Sequence, residues 1–369
     1  MAKHNAANAR IKREYFTYLK EAQRRDEGSI DAVAKALARF EEANGHEDFK
    51  TFHRAQAVAF KHKLDKQPAI RTGKPLSRAT VNSTQSALRA FFVWLTGQPG
   101  YKSRLTYADA DYFNLAETDV RIAKAVRIKP FPTLEQVHHV LSAMPAGTDI
   151  ELRNRALVAF ALLTGARDGA LSSFRLKHVD LAQRRVDQDA RDVRTKASKT
   201  FSTWFFPVGG DAFAIVEHWC QHLRTGLLWG DDDPLFPATQ LGLDANGAFT
   251  PVGLRRDGWS NAGPVRKIFQ NAFAAAGLPY FNPHSFRDTL VQLGEQTCQT
   301  VEQFKAWSQN LGHDRVMTTL TSYGNVAPHR QAELIRGMGA AKGAVGQLAG
   351  SVDPELVVQV LAALQSMPR

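Results

Sequence analysis

The chain has 369 residues, 44% of them hydrophobic and 22% charged, which is typical of a soluble globular protein with roughly two domains. Its 47 Lys and Arg against 36 Asp and Glu leave a net charge of +11, which favours a polyanionic partner, with nucleic acid the first candidate. The two cysteines, Cys220 and Cys298, are too few for a disulfide framework or a cysteine-rich zinc site, and they fit a reducing compartment.

No targeting or membrane segment is predicted. Residues 1–13 are polar and basic without an apolar run, and no stretch reaches the ~18 consecutive apolar residues of a membrane span. The sequence also lacks a phosphate-binding G-x-x-x-x-G-K-[ST] loop and an H-E-x-x-H motif. These absences argue against ATP-driven and zinc-hydrolase mechanisms, and we expect no cofactor and no metal.

Residues 10–97 are predicted to be helical, because apolar residues recur there at helical spacing. Ser29 is a candidate N-cap for the second helix, and Ser77 caps a long helix that ends at the Gly-Gln-Pro-Gly stretch 97–100. The segment 49–64 combines apolar and basic positions, so it is either a DNA-facing helix or an ordinary amphipathic one. Residues 101–132 have weak periodicity and are predicted to be a linker.

The second half of the chain opens with a capping box at 133–136, which predicts a helix towards Met144. The strongly apolar residues 151–163 predict a buried helix that stops at Thr164-Gly165 and places Arg167 at a turn. Helices are also expected over 211–223 and 264–276, the latter with Arg266 and Lys267 available to phosphates, and 226–258 is expected to be loop-rich.

Residues 186–208 carry the clearest strand pattern of the chain. Thr, Val, Trp and Phe are frequent there, and the sequence predicts a β-hairpin with Lys196 and Lys199 at or near its turn. Lysines in such a turn are usually solvated, so the hairpin alone does not indicate a function.

Further chemical groups cluster between residues 282 and 323. His284 and Arg287 are three residues apart and share a helix face, His313 follows a Leu-Gly turn, and Tyr323 comes ten residues later. Each piece alone has an ordinary explanation as a solvated helix face, a helix C-cap or a surface tyrosine. Together, cationic donors and a phenol suit the attack of a tyrosine oxygen on a phosphodiester.

The ordered set resembles the tyrosine recombinases, site-specific recombinases of the phage-integrase type. The resemblance covers about half the chain, from near Lys129 to near Arg330, and it rests on Thr164-Gly165-Ala166-Arg167, Thr195-Lys196, His284-Ser285-Phe286-Arg287, Leu311-Gly312-His313 and Tyr323. It implies a mainly α fold with a small antiparallel β-sheet. The implied organisation is a helical core-binding domain (1–100), a linker (101–132), a catalytic domain (133–330) and a tail (331–369). The apolar helix expected in the tail either docks in trans on a neighbouring protomer or packs on its own domain.

The resemblance also implies a role for each matched residue. Arg167 and Arg287 clamp the non-bridging phosphate oxygens, and His284 and His313 donate to the same oxygens. His284 can also take the proton of Tyr323, which attacks and forms a 3′-phosphotyrosyl link. Lys196 matches the family lysine that protonates the leaving 5′ oxygen, and Lys199 is its rival.

The resemblance implies site-specific double-stranded DNA as partner, a tetramer on DNA, accessory DNA-bending proteins, no membrane, a cytoplasmic nucleoid-associated location and a mobile-element context. Two other hypotheses are a type IB-like topoisomerase and a DNA-binding regulator without activity. The sequence departs from the family where an acidic residue is frequent three positions after the first arginine, because Ala170 stands there. Asp168, beside Arg167, is a candidate substitute.

Overall fold

The computed structural model describes residues 4–69, 73–125 and 129–313. The chain divides into two compact units, Met1–Arg127 and Ile128–Arg369. Tyr323 and the tail 331–369 lie outside the described residues, so the predictions made for them stay predictions. Within the described part, no helix is long and apolar enough to cross a membrane.

The described part of the first unit is helical. Its helices are α1 (Ala6–Thr17), α2 (Glu27–Ala43), α3 (Arg54–Lys66), α4 (Arg78–Leu95), α5 (Tyr107–Ala110) and α6 (Glu117–Lys124). Phe40, Phe49, Phe91, Phe92 and Phe113 are at most 1% exposed and form an aromatic core. Ring edges meet ring faces in several of these pairs, an arrangement that adds to the free energy of area burial.

Two predicted helix starts in this unit differ in their outcome. Ser77 caps α4 as predicted, with its Oγ accepting from the Thr80 N–H at 3.1 Å. Ser29 was the wrong N-cap for α2, because the Asp26 carboxylate accepts from the Ser29 N–H at 2.9 Å and starts the helix three residues earlier. The predicted single helix over 49–64 is a 3₁₀ turn, Phe49–Thr51, followed by α3.

The first part of the predicted linker 101–132 packs into the first unit. Tyr101, Leu105 and Phe113 are at most 4% exposed and belong to the core of the first unit. Helices α5 and α6 have only 4 and 8 residues. Such short helices cannot show several turns of apolar periodicity, which explains the weak sequence signal.

The second unit surrounds the buried helix α8 (Asp149–Thr164). The other α-helices between residues 129 and 313 are α7 (Leu134–Ala143), α9 (Asp168–Leu171), α10 (Ala212–Gln221), α11 (Gly263–Ala275), α12 (Ser285–Thr297) and α13 (Val301–Asn310). Every residue of α8 from Ala156 to Thr164 is buried, as the apolar run predicts. The capping box at the start of α7 is also confirmed, because Thr133 and Gln136 exchange hydrogen bonds between side chain and backbone.

The described part of this unit also contains two antiparallel sheets. The first has the order β1 (Val179–Asp180), β2 (Arg185–Gln188) and β3 (Phe201–Trp204), so the predicted hairpin is confirmed as β2–β3, with Gln188 opposite Phe201. The second pairs β4 (Thr239–Leu243) with β5 (Phe249–Leu254) inside the segment expected to be loop-rich. Gly242, Pro251 and Gly253 break the strand pattern there, and pairing with a bulge after Gln240 overrides that local signal.

Candidate active site

Arg287 joins three motifs that are far apart in the sequence. It lies in the first turn of α12, and just before that helix the Asn282 Oδ1 accepts from the Ser285 N–H at 3.2 Å. The buried Arg287 guanidinium donates from Nη1 to the Gly165 carbonyl at 2.7 Å, and from Nη2 to the Leu311 carbonyl at 2.6 Å and to His313 Nε2 at 2.7 Å. Charge-assisted hydrogen bonds of this kind are strong, so Arg287 connects the turn before Arg167 to the Leu-Gly-His turn.

The turn before Arg167 depends on Gly165. This residue ends α8 in the left-handed conformation, at φ 59°, and a Cβ there would lie 2.9 Å from a methyl carbon of Leu311. Arg167 follows in an extended conformation as the N-cap of α9 and is half-buried. Within the described ranges its guanidinium makes no hydrogen bond or ion pair, yet its charge lowers the pKa of both His284 and His313.

His313 is neutral in this structure. Because an arginine only donates, His313 Nε2 must accept the bond from Arg287 Nη2, which places the imidazole proton on Nδ1. Burial lowers the pKa of His313 to about 3, and the positive charges of Arg287, Arg167 and Lys199 act in the same direction. The side chain is 7% exposed.

His284 immediately precedes α12, at its N-cap position. Loss of solvent around its ring lowers the pKa of His284 to about 4, and the charges of Arg287 and Arg167 contribute to that shift. Both histidines are therefore uncharged near neutral pH, and both lie within the electrostatic reach of the two arginines.

A residue that the sequence did not point to anchors the His313 turn. Asn310 ends α13, and its amide accepts from the Trp204 N–H and donates to the Trp204 carbonyl, both at 2.8 Å. Thr203 adds a hydrogen bond from Oγ1 to the Asn310 carbonyl at 3.0 Å. The side chain of Asn310 thus pairs with the backbone of β3 as a neighbouring strand would, and it fixes the turn to the hairpin.

The two candidate lysines lie in the turn between β2 and β3. A 3₁₀ turn spans Lys196–Ser198, and both Ala197 and Ser198 have positive φ, at 58° and 50°. Lys196 is exposed, whereas Lys199 is half-buried and lies close enough to lower the pKa of His313. The choice between the two lysines therefore stays open.

Asp168 and Arg266 form an ion pair beside Arg167. Arg266 Nε donates to Asp168 Oδ2 at 2.7 Å, and because the Arg266 side chain is 61% exposed, its availability to a phosphate stays a prediction. Ala170, where the family often has an acidic residue, is 1% exposed and offers no polar group. Asp168 is held by α11 through this pair.

The structure therefore brings together Arg167, His284, Arg287 and His313, with Lys199 close to His313. Lys196 lies on the adjoining exposed turn, and Tyr323 is outside the described residues. Among the described residues, no group of three or more His, Cys, Asp or Glu side chains could hold a metal ion. The arrangement offers a concentrated positive charge and two neutral imidazoles, which suits the binding of an anionic phosphate.

Comparison with known proteins identifies the fold. No protein-family model matches the chain. Tyrosine recombinase XerC of Lactobacillus delbrueckii subsp. bulgaricus is 25% identical over 251 residues, which span 68% of this chain and 73% of that protein. A lambda integrase dimer bound to a COC′ core site matches with a TM-score of 0.56 at 14% identity, over 87% of this chain and 96% of that one.

XerH site-specific recombinase, solved in a post-cleavage complex with a palindromic difH substrate, matches with a TM-score of 0.57 at 15% identity. The match covers 89% of this chain and 85% of that one. The chain thus has the two-domain fold of the tyrosine recombinases. The sequence is likewise similar to that of tyrosine recombinase XerC, at 25% identity.

Proposed function

We propose that this chain is a site-specific DNA recombinase that cleaves and rejoins DNA strands through a 3′-phosphotyrosyl intermediate. The observation that carries the proposal is the bonding of Arg287, whose guanidinium joins the Gly165 carbonyl to the Leu311 carbonyl and His313. This contact gathers the sequence motifs around one positive centre. The names of the relatives, which are recombinases and integrases, support the same activity.

In the proposed reaction, Arg167 and Arg287 hold the non-bridging oxygens of the scissile phosphate. His313 donates from Nδ1, because its Nε2 already accepts from Arg287. Fixed positive charge and aligned donors stabilise the extra negative charge of the transition state, and this is the largest contribution expected from the site. A permanently charged guanidinium suits this role better than an ammonium group does.

The covalent step transfers the phosphate from one oxygen to another. The Tyr323 oxygen forms a bond to phosphorus while the bond between phosphorus and the 5′ oxygen breaks. Neutral His284 accepts the tyrosine proton, and the Lys196 ammonium gives a proton to the leaving 5′ oxygen, with Lys199 as the rival donor. The phosphotyrosyl bond retains the energy of the broken bond, so a 5′ hydroxyl can reverse the step and rejoin a strand.

We assign the binding of core DNA to the helical residues 1–100 and catalysis to 133–330. Double-stranded DNA with specific recombination sites is the proposed partner, and a tetramer assembles on two paired sites. Accessory DNA-bending proteins, a mobile-element context and a cytoplasmic, nucleoid-associated location belong to the same proposal. The tail 331–369 carries Leu356, Val360 and Leu364 at helical spacing, and it is proposed to dock on a neighbouring protomer.

The experiment that tests this function needs a DNA site, which can be selected from a random duplex library by repeated binding. A duplex with that site and a nick beside the cleavage position traps the covalent intermediate, since the released fragment diffuses away. We expect a denaturation-resistant protein–DNA adduct whose modified peptide contains Tyr323. The Tyr323→Phe variant should bind the same duplex and form no adduct.

Three results would contradict the proposal. An adduct that persists in Tyr323→Phe would remove the nucleophile assignment. Relaxation of supercoiled DNA without pairing of two sites would indicate a topoisomerase, and binding without any adduct would indicate a DNA-binding regulator.

A further inference from the structure

Arg194 stands at the base of the turn that carries Lys196, and both ends of this residue are bonded to other parts of the second unit. Its guanidinium donates to the Ser260 carbonyl at 2.8 Å and to the Trp259 carbonyl at 2.7 Å. Its backbone N–H donates to Ser173 Oγ at 2.9 Å. Arg194 is thus attached to two segments that lie 21 and about 65 positions away in the sequence.

The segment that receives the guanidinium is itself firmly held. Trp259 is 6% exposed, and the guanidinium of the buried Arg153 lies 5.2 Å from the centroid of its ring. Arg153 also donates to the Pro237 carbonyl at 2.8 Å. The guanidinium is therefore held by this hydrogen bond and the Trp259 ring by its burial, which stabilises the cation–π contact between them. The carbonyls of Trp259 and Ser260 therefore offer a rigid point of attachment.

The other end of Arg194 contacts the turn that follows Arg167. Ser173 Oγ, which accepts from the Arg194 N–H, belongs to the chain just after α9, and a Cβ at Gly169 would lie 3.4 Å from the Arg194 carbonyl. Val193, one residue earlier, is 2% exposed and anchors this part of the β2–β3 connection in the core. The position of the lysine turn is in this way fixed relative to the arginine that is proposed to hold the phosphate.

The turn itself has few internal means of holding its shape. Ala197 and Ser198 both adopt the left-handed conformation, which is strained for a residue other than glycine. Lys196, Ala197 and Ser198 are all exposed, so packing does not hold them. A conformation of this kind persists only when the ends of the segment are fixed, and Arg194 fixes one of them.

We propose that Arg194 is a positioning residue for the general acid, which aligns the lysine turn with the leaving 5′ oxygen through the carbonyls of Trp259 and Ser260. This inference rests on the proposed function, because it presupposes that a lysine of this turn protonates that oxygen. Arg194 itself transfers no proton. Its loss should misplace the ammonium group, and small misplacements of a catalytic group cost up to about 10²-fold in rate.

The test compares cleavage of two duplexes that differ in one atom. One has the natural 5′ oxygen, and the other has a 5′-bridging sulfur, whose thiolate leaves without protonation. Arg194→Ala should cleave the oxygen substrate about 10- to 100-fold more slowly than the parent, and the sulfur substrate at nearly the parent rate. A merely structural defect would slow both substrates equally.

Arg191→Ala is the matched control. Arg191 lies three residues earlier, and its substitution removes the same charge. Its side chain is exposed and pairs locally, with Asp189. It should cleave both substrates like the parent. Arg194→Lys, which can reach one carbonyl but not both, should fall between Arg194→Ala and the parent, and Ser173→Ala should show the same preference for sulfur more weakly.

The lysine variants separate failure of this inference from failure of the proposed chemistry. If sulfur rescues neither Lys196→Ala nor Lys199→Ala, the general-acid assignment is wrong and the inference is overturned with it. If sulfur rescues a lysine variant but neither Arg194→Ala nor Ser173→Ala, only the role of Arg194 is wrong. If Arg194→Ala cleaves normally at saturating protein concentration but binds DNA weakly, Arg194 contacts a DNA phosphate. That result also overturns the inference.

Discussion

The Arg266 guanidinium contacts Asp168 Oδ2 through both Nε and Nη2, at 2.7 Å in each case. Asp168 is the residue next to Arg167, and Arg266 lies in the second turn of α11. The pair therefore connects the turn that presents Arg167 to a separate helix. Ala170 offers this turn no polar group, so its ion pair to a separate helix comes from Asp168.

We predict that Asp168→Asn slows DNA cleavage by on the order of 10-fold while leaving DNA affinity and thermal stability nearly unchanged. The ion pair is partly exposed, so it contributes little to folding, and its effect should come through the orientation of Arg167. Single-turnover cleavage of a nicked site measures this. Asp244→Asn, which neutralises a carboxylate in the turn between β4 and β5, is the control and should cleave normally. Equal rates for the two variants would show that the Asp168–Arg266 ion pair has no catalytic role.

The two arginines of the proposed clamp should differ in their effect on stability. Arg287→Ala leaves two buried carbonyls and His313 without this donor, which should cost about 1–3 kcal/mol of unfolding free energy for each acceptor left unpaired. Arg167→Ala should leave the melting temperature almost unchanged, because its guanidinium makes no hydrogen bond or ion pair among the described residues. Both should lower the cleavage rate by on the order of 10² or more.

Calorimetry and single-turnover cleavage on the same preparations test this contrast. Arg→Lys at either position should restore little activity, since an ammonium cannot make a bidentate contact. A large loss of stability in Arg167→Ala, or near-full activity of both lysine variants, would contradict the division of roles.

The pKa of His313 predicts a loss of stability in mild acid. Its folded pKa of about 3 lies below the ordinary value of 6.5, so the unfolded chain takes up a proton first as the pH falls. The stabilising contribution is complete above about pH 6.5 and declines between 6.5 and about 3, by at most about 1.4 kcal/mol per pH unit. Asp288, whose pKa burial raises to about 6, opposes this trend, because its folded form binds a proton first.

The effect of His313 is isolated by comparison with His313→Gln, whose amide oxygen can accept from Arg287 without titrating. Urea unfolding at pH 7.5, 6.5, 5.5 and 4.5 would follow both proteins. We expect the free energy of unfolding of the parent to fall relative to the variant as the pH decreases below about 6.5. Parallel curves would mean that the histidine is not held neutral.

Prediction from sequence succeeded where the signal was local. The apolar run of α8, the capping box of α7 and the β2–β3 hairpin follow from spacing and residue type, and the structure contains all three. The sequence did not indicate β4–β5, whose glycines and proline weaken the strand pattern, because that hairpin forms through pairing between its strands. The spacing of residue types indicates the conformation that a segment prefers locally. It does not indicate the strand with which that segment pairs.

The candidate active site shows the same contrast between local patterns, which the sequence reveals, and long-range contacts, which it does not. The residue types and order of the motifs pointed to Arg167, His284, Arg287 and His313 as candidates. The contacts that hold them in place could not be predicted, because they join residues distant in sequence. Asn310 pairs with Trp204 across 106 positions, and Arg266 pairs with Asp168 across 98. No local pattern encodes such partners.

Gly312, the middle residue of the Leu-Gly-His turn, offers the sharpest test of how that turn is built. Its φ of 72° lies in the left-handed region, and a Cβ would sit 2.5 Å from Cζ of Phe201 on β3. Gly247, in the turn between β4 and β5, has a similar φ of 75° but no atom within 4 Å of a Cβ. Gly247→Ala therefore measures backbone strain alone, and Gly312→Ala adds the collision with the ring.

We predict that Gly247→Ala costs about 1–2 kcal/mol of unfolding free energy and leaves cleavage unchanged. Gly312→Ala should cost more, because either the turn or the Phe201 ring must move. Since His313 follows directly and bonds to Arg287, cleavage should fall by on the order of 10-fold or more. Adding Phe201→Leu, which removes the colliding ring atom, should recover part of the activity and stability of Gly312→Ala. Equal losses in the two alanine variants, with no recovery in the double variant, would show that the approach of Phe201 to Gly312 does not control the position of His313.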